Sequence, residues 1–150
     1  MTPGSNGAKE LIRLDIPAQP AFVGVARVVV ASVATTVDGI DDDRLEDLRI
    51  AVSEACTNAV EASLGSPTDQ RVILRCVLDG DALEVHIEDT GASEQASEAL
   101  EEDQSNGDEG AERGWGLQLI RALVDDVSFT DASNGGTSSV RLLVRRSPEA

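Results

Sequence analysis

The chain has no tyrosine, one tryptophan and two phenylalanines in 150 residues. Its core therefore has to be assembled from Val, Leu, Ile and Ala. Lysine is almost missing as well: Lys9 stands alone, and the other eleven basic residues are arginines. That excludes a GxxxxGK[ST] phosphate loop and an interior Schiff-base lysine, so any phosphate is left to backbone amides, arginine and a metal ion. Cys56 and Cys76 form no CxxC and are too few for a disulfide framework; both read as reduced core thiols. The longest apolar run, "VVVASVA" (28–34), is far short of the roughly 20 residues that cross a bilayer. The opening "MTPGSNGAKE" shows no secretory pattern, and a cytoplasmic protein is expected. Positive charge is scarce against a net charge of −16. Nucleic acid and anionic membrane are thereby disfavoured as direct partners, and a basic protein surface is favoured.

What remains is the length of one domain. "ELIRLDI" (10–16) alternates as a first strand, and "AFVGVARVVVASVATTV" (21–37) reads as a buried helix between Pro20 and Gly39. Residues 41–63 are the clearest helix, with acids at the N-terminus and Leu45, Leu48, Val52, Ala55 and Ala59 as the core stripe. Strands 71–78 and 82–89 are joined by a "DGD" turn. Residues 92–112 have no periodicity; a helix then runs from about Trp115 to "DD" (125–126), and two last strands are joined through "SNGG". The order βααββ-loop-αββ predicts an α+β fold, a two-layer α/β sandwich with one mostly antiparallel sheet and helices on one face. Residues 1–9 read as a flexible N-terminus, 10–146 as the domain and 147–150 as a tail.

Three places could carry chemistry. Glu54 and Asn58 lie one turn apart on the long helix, at the border of its apolar stripe; they either line a pocket beside the core or belong to a solvated face. In "VHIEDTG" (85–91), Asp89 shares its strand face with Leu83, Val85 and Ile87. Asp89 should then point towards the helix layer, where an adenine amino group would be a fitting donor; a turn-forming Asp-x-Gly is the alternative. In "ERGWGLQLI" (112–120), Gly114 and Gly116 permit close backbone approach at a helix N-terminus, and Arg113 adds a cation. As a dinucleotide fingerprint this stretch fails, since no strand precedes it and position 119 is Leu. His86, between Glu84 and Glu88 on the opposite strand face, reads as a surface histidine.

Taken in order, these segments resemble the histidine-kinase-like (GHKL) ATPase superfamily with its Bergerat fold, and within it the small anti-sigma factor serine kinases. "AVSEACTNAVEAS" is similar to the N box, "IEDTG" to the first glycine box, "RGWGLQLIRALVDDVSF" to the second and "GGTSSVRLLV" to the last. The resemblance covers residues 10–146.

It implies ATP and Mg²⁺ as cofactors. Glu54 would be the general base and Asn58 the Mg²⁺ ligand. Asp89 would accept the adenine N6–H, with Gly91 keeping the turn open. Arg113, Gly114, Trp115, Gly116 and Leu117 would lie against the phosphates, Thr137 would support the adenine pocket, and residues 92–112 would be a flexible ATP lid. The implied partners are an anti-anti-sigma (STAS) protein as phosphoacceptor, an RNA polymerase sigma factor, and a second copy of the chain in a homodimer, with no direct contact to nucleic acid or membrane. A binding module with the same fold but little kinase activity is the rival reading, and a regulator with a different client is another. Residues 94–112 carry eight acids and no base; closing them over a triphosphate brings like charges together, so an open lid and modest ATP affinity are expected.

Overall fold

Alternation over residues 71–90 produces two strands that fold back through a two-residue turn, and the rest of the sheet is built outward from them. The computed structural model describes residues 8–63, 70–90, 117–130 and 138–147. Its strands are β1 (Ala8–Pro17), β2 (Arg71–Asp79), β3 (Ala82–Thr90), β4 (Asp126–Thr130) and β5 (Ser138–Arg145). They form one sheet in the order β1-β2-β3-β5-β4, and every pairing is antiparallel. Gly80, at φ +61°, supplies the left-handed residue that the β2–β3 turn needs.

Register explains which side chains reach the core. Leu14, Leu74, Ile87 and Val140 stand side by side across four strands, as do Ile12, Cys76, Val85 and Leu142. This face is covered by α1 (Val23–Ala34), α2 (Asp42–Ser63) and a third helical stretch, α3, over residues 117–123. Ala26, Val30 and Ala34 bury one stripe of α1; Leu48, Ala51, Val52, Ala55, Cys56 and Val60 bury a wider face of α2. Ile120 brings α3 into the same core. The two-layer architecture expected from the element order is therefore the one observed.

The opposite sheet face carries charge. Arg75 pairs with Glu88 at 3.3 Å and Glu10 at 3.8 Å, and Arg71 with Asp15 at 2.8 Å. His86 lies half-buried on this face, deeper than the surface position expected, with Nε2 2.9 Å from Glu84 Oε1.

The first helix is shorter than its apolar pattern suggested. Pro20–Phe22 form a tight 3₁₀ turn ahead of it. At the other end, the Thr35 and Thr36 hydroxyls donate to Ser32 O and Val33 O, each at 2.7 Å. The backbone there closes i→i+3 bonds, Thr36 N to Val33 O and Val37 N to Ala34 O, so local side-chain and backbone bonding ends the helix before Gly39 does.

Gly39 serves another purpose. After β5, Arg146 N donates to Asp81 O at 2.6 Å and Ser147 N donates to Gly39 O at 2.7 Å. Arg146 Nε donates to Asp38 O at 2.7 Å and Nη1 to Gly80 O at 3.3 Å. The chain thus straps the α1–α2 turn to the β2–β3 turn. Gly39 has φ +94°, and a Cβ there would meet Arg146 Cβ and Ser147 O, each at 3.0 Å. Gly39→Ala is expected to cost about 1–3 kcal/mol in chemical denaturation; an unchanged midpoint would show that this turn relaxes freely.

Both cysteines are free and buried. Burial pushes the Cys56 thiol from 9.0 up to about 12 and that of Cys76 to about 11, because a thiolate would lose its water. The native state therefore holds these protons at pH values where the unfolded chain releases them. Their contribution to stability is complete below about pH 9 and declines as pH rises towards 11–12. Equilibrium unfolding from pH 8 to 11 should show this fall, and Cys56→Ala/Cys76→Ala should flatten it. An equal slope in both proteins would refute the assignment.

Candidate active site

Asp41 starts α2 as an N-cap: its Oδ1 accepts the Arg44 N–H at 2.8 Å and its carbonyl accepts the Leu45 N–H at 2.8 Å. Asp42 and Asp43 in the first turn add charge complementary to the helix dipole. From this fixed start the helix runs 22 residues across the sheet, packing on β3 and β2.

Its direction follows from the two ends. Arg44 is paired with Asp125, whose own N–H donates to Leu143 O at 2.9 Å, and Leu143 lies opposite Glu84 near the start of β3. At the other end, α2 stops at Ser63 and β2 begins at Arg71, which pairs with Thr90 at the end of β3. Helix and strand therefore run the same way. With a rise of about 1.5 Å per residue, Glu54 and Asn58 lie roughly 15 and 21 Å along the helix from Arg44. Asp89 lies roughly 17 Å along the strand from Glu84. Measured along helix and strand, the three residues fall at similar axial distances, towards the C-terminal end of β3.

Their surroundings differ. Glu54 and Asn58 are half-buried, flanked in sequence by fully buried Val52, Cys56 and Val60, which is the border position expected of them. Asp89 is 3% exposed. It lies beside Val72 of β2 and opposite Ser138 of β5, in the row that begins with Ile16. A carboxylate held that deeply at the end of an apolar row is costly unless it meets hydrogen-bond donors. A carboxylate accepts hydrogen bonds, and an amino group is a fitting donor.

The third helix approaches from the opposite direction. Just past its end, the Val124 N–H donates to Ile120 O at 3.2 Å, next to Asp125. Since Ile120 is buried in the core, α3 lies over the sheet. Leu117 is half-buried. Gly91, Arg113, Gly114, Trp115, Gly116 and Thr137, with the lid segment 92–112, lie outside the described residues. Of the sequence-predicted site, Glu54, Asn58, Asp89 and Leu117 lie among the described residues, on α2, β3 and α3.

Among the described residues no group of three or more His, Cys, Asp or Glu side chains is arranged to hold a metal ion. The Asn58 amide fits a Mg²⁺ that takes most of its ligands from phosphates and water. No described helix is long and apolar enough to cross a membrane.

Comparison with known proteins identifies the family. The model of the histidine kinase-like ATPase domain matches residues 16–142. A serine-protein kinase RsbW of Bacillus pumilus is 34% identical over 148 residues, covering 94% of this chain and 90% of the relative. The serine-protein kinase RsbW of Bacillus subtilis is 36% identical over 129 residues, covering 83% and 80%, and that of Listeria monocytogenes 35% over 123 residues, covering 79% and 78%. The chain thus belongs to the histidine kinase-like ATPase family, as a protein serine kinase of that family.

Proposed function

We propose that the chain binds Mg-ATP at the C-terminal end of β3 and phosphorylates a serine of an anti-anti-sigma (STAS) protein. As a homodimer, it also binds and restrains an RNA polymerase sigma factor. The reading is supported by Glu54 and Asn58, half-buried on α2, and by Asp89, 3% exposed at the end of β3, the strand on which α2 packs.

In this reading Asp89 accepts a hydrogen bond from the adenine amino group, with Thr137 beside it and Gly91 opening the turn. Asn58 ligates Mg²⁺, which supplies charge neutralisation for the phosphates when bound. Arg113, Gly114, Trp115, Gly116 and Leu117 line the phosphates. Glu54 takes the proton of the acceptor serine as its oxygen bonds to the γ-phosphorus and ADP departs. Phosphoryl transfer needs little else from the protein beyond positioning and charge stabilisation. The similarity to serine-protein kinases supports serine as acceptor, and the resemblance to anti-sigma kinases supports the two protein partners. A net charge of −16 suits a basic face on the sigma factor and speeds their encounter. One catalytic domain over residues 10–146 and a cytoplasmic setting complete the proposal.

The test is incubation of the chain with γ-labelled ATP and candidate STAS proteins, followed by sigma-factor pull-down. Label on a STAS serine, with sigma release by unphosphorylated STAS protein, is the expected result. ATP consumption with no labelled STAS protein and no bound sigma factor would overturn the assignment of partners.

A further inference from the structure

The Arg44–Asp125 pair joins residues 81 apart in sequence, and no motif marks either of them. Its side chains are 32% and 29% exposed, a setting in which ion pairs contribute little to stability. Its location is more informative than its strength. Asp125 is fixed to the sheet twice, its N–H donating to Leu143 O at 2.9 Å and its Oδ2 accepting the Arg145 N–H at 2.6 Å. It also follows directly on the last turn of α3. Arg44 lies in the first turn of α2. The pair therefore fastens α2 to the post that ends α3, at the end of the sheet remote from Asp89.

From that post α2 runs to Glu54 and Asn58, and α3 leads back to Leu117, positions that the site reading above assigns to the nucleotide. A packed helix behaves as a rod, so a slip at the fastened end is carried along its length to the other. We propose that Arg44 and Asp125 are positioning residues for phosphoryl transfer: they set the axial spacing between Glu54 and Asn58 on α2 and the start of α3. The inference rests on the site reading above. A displacement of about 1 Å between reacting groups can cost on the order of 10²-fold in rate. The adenine contact at Asp89 belongs to the sheet and is untouched by such a slip.

The test uses the full chain with Arg44→Ala, Asp125→Asn, the double variant and Arg44→Lys. Steady-state kinetics with a protein acceptor should show kcat lowered about 10- to 100-fold in the first two, with KM for Mg-ATP within about threefold and the melting temperature nearly unchanged. Arg44→Lys, which keeps the charge, should recover most of kcat. The double variant should be no slower than the singles, as expected of one coupled unit. An unchanged kcat, or a fall in kcat and melting temperature with a rise in KM and no rescue by lysine, would overturn the proposal. Calorimetry separates this from failure of the site itself. Wild type binding Mg-ATP while Asp89→Asn does not keeps the site, whereas equal binding by both removes the site and the positioning role together.

Discussion

Glu54→Ala is expected to lower phosphoryl transfer by about 10²–10⁴-fold, the usual contribution of a positioned general base, while Mg-ATP still binds. The separation of these two effects is what identifies a base. Glu54 is half-buried on the border of the α2 core stripe, so its carboxylate can face a ligand without supporting the packing beneath it. Alanine is the best helix former, and the truncation leaves the buried face of Leu48, Val52, Ala55 and Cys56 intact. Stability should therefore change by less than about 1 kcal/mol. Glu54→Gln keeps the shape and removes only the proton acceptor; it should be nearly as slow as alanine. The measurement is single-turnover transfer of label from γ-labelled ATP to the acceptor protein, alongside calorimetric titration of Mg-ATP. A Gln variant retaining more than about a tenth of the wild-type rate would assign the proton elsewhere, and positioning by the remaining groups would then carry the reaction.

The sheet was legible because its physics is local. Period-two alternation placed β2 and β3 to within a residue or two, and the single parity of Leu83, Val85, Ile87 and Asp89 pointed Asp89 at the helices before any register was known. The stripe on α2 was legible for the same reason, although it is wider than spacing alone indicated, since Ala51, Cys56 and Val60 are buried as well. The ends of α1 were not. Helical periodicity continues through Thr35 to Val37, but the hydroxyl bonds of Thr35 and Thr36 to the preceding carbonyls compete with further helix, and a hydrophobic pattern carries no trace of that competition. The Arg44–Asp125 pair was equally hidden. Sequence spacing marks neighbours on one element, whereas this contact exists only because α2 and α3 pass the same corner of the sheet. The glycine-flanked Trp115, by contrast, drew attention through its order among other motifs and not through its own spacing.

Asp89→Asn is expected to weaken Mg-ATP binding by about 10²–10³-fold, and to do so with loss of base selectivity. The carboxylate is 3% exposed, in the row of Ile16 and Val72, a place where water does little to screen it. A hydrogen bond to a charged acceptor contributes about 1.5–3 kcal/mol, and a buried donor left without a partner costs a further 1–3 kcal/mol. At 1.4 kcal/mol per tenfold, the two together account for the fall. An ionised carboxylate only accepts, so it welcomes the adenine amino group and repels the guanine carbonyl oxygen at the same position. An amide both donates and accepts. Asp89→Asn should therefore lose affinity for ATP far more than for GTP, and the preference between them should shrink towards unity. Asparagine matches aspartate in shape, so Val72, Ile87 and their neighbours keep their packing and the variant remains folded by circular dichroism. Competitive titration of the two nucleotides against wild type and variant decides the matter. If the variant binds both nucleotides as the wild type does, the buried carboxylate at the end of β3 does not read the base, and the nucleotide lies elsewhere on the molecule.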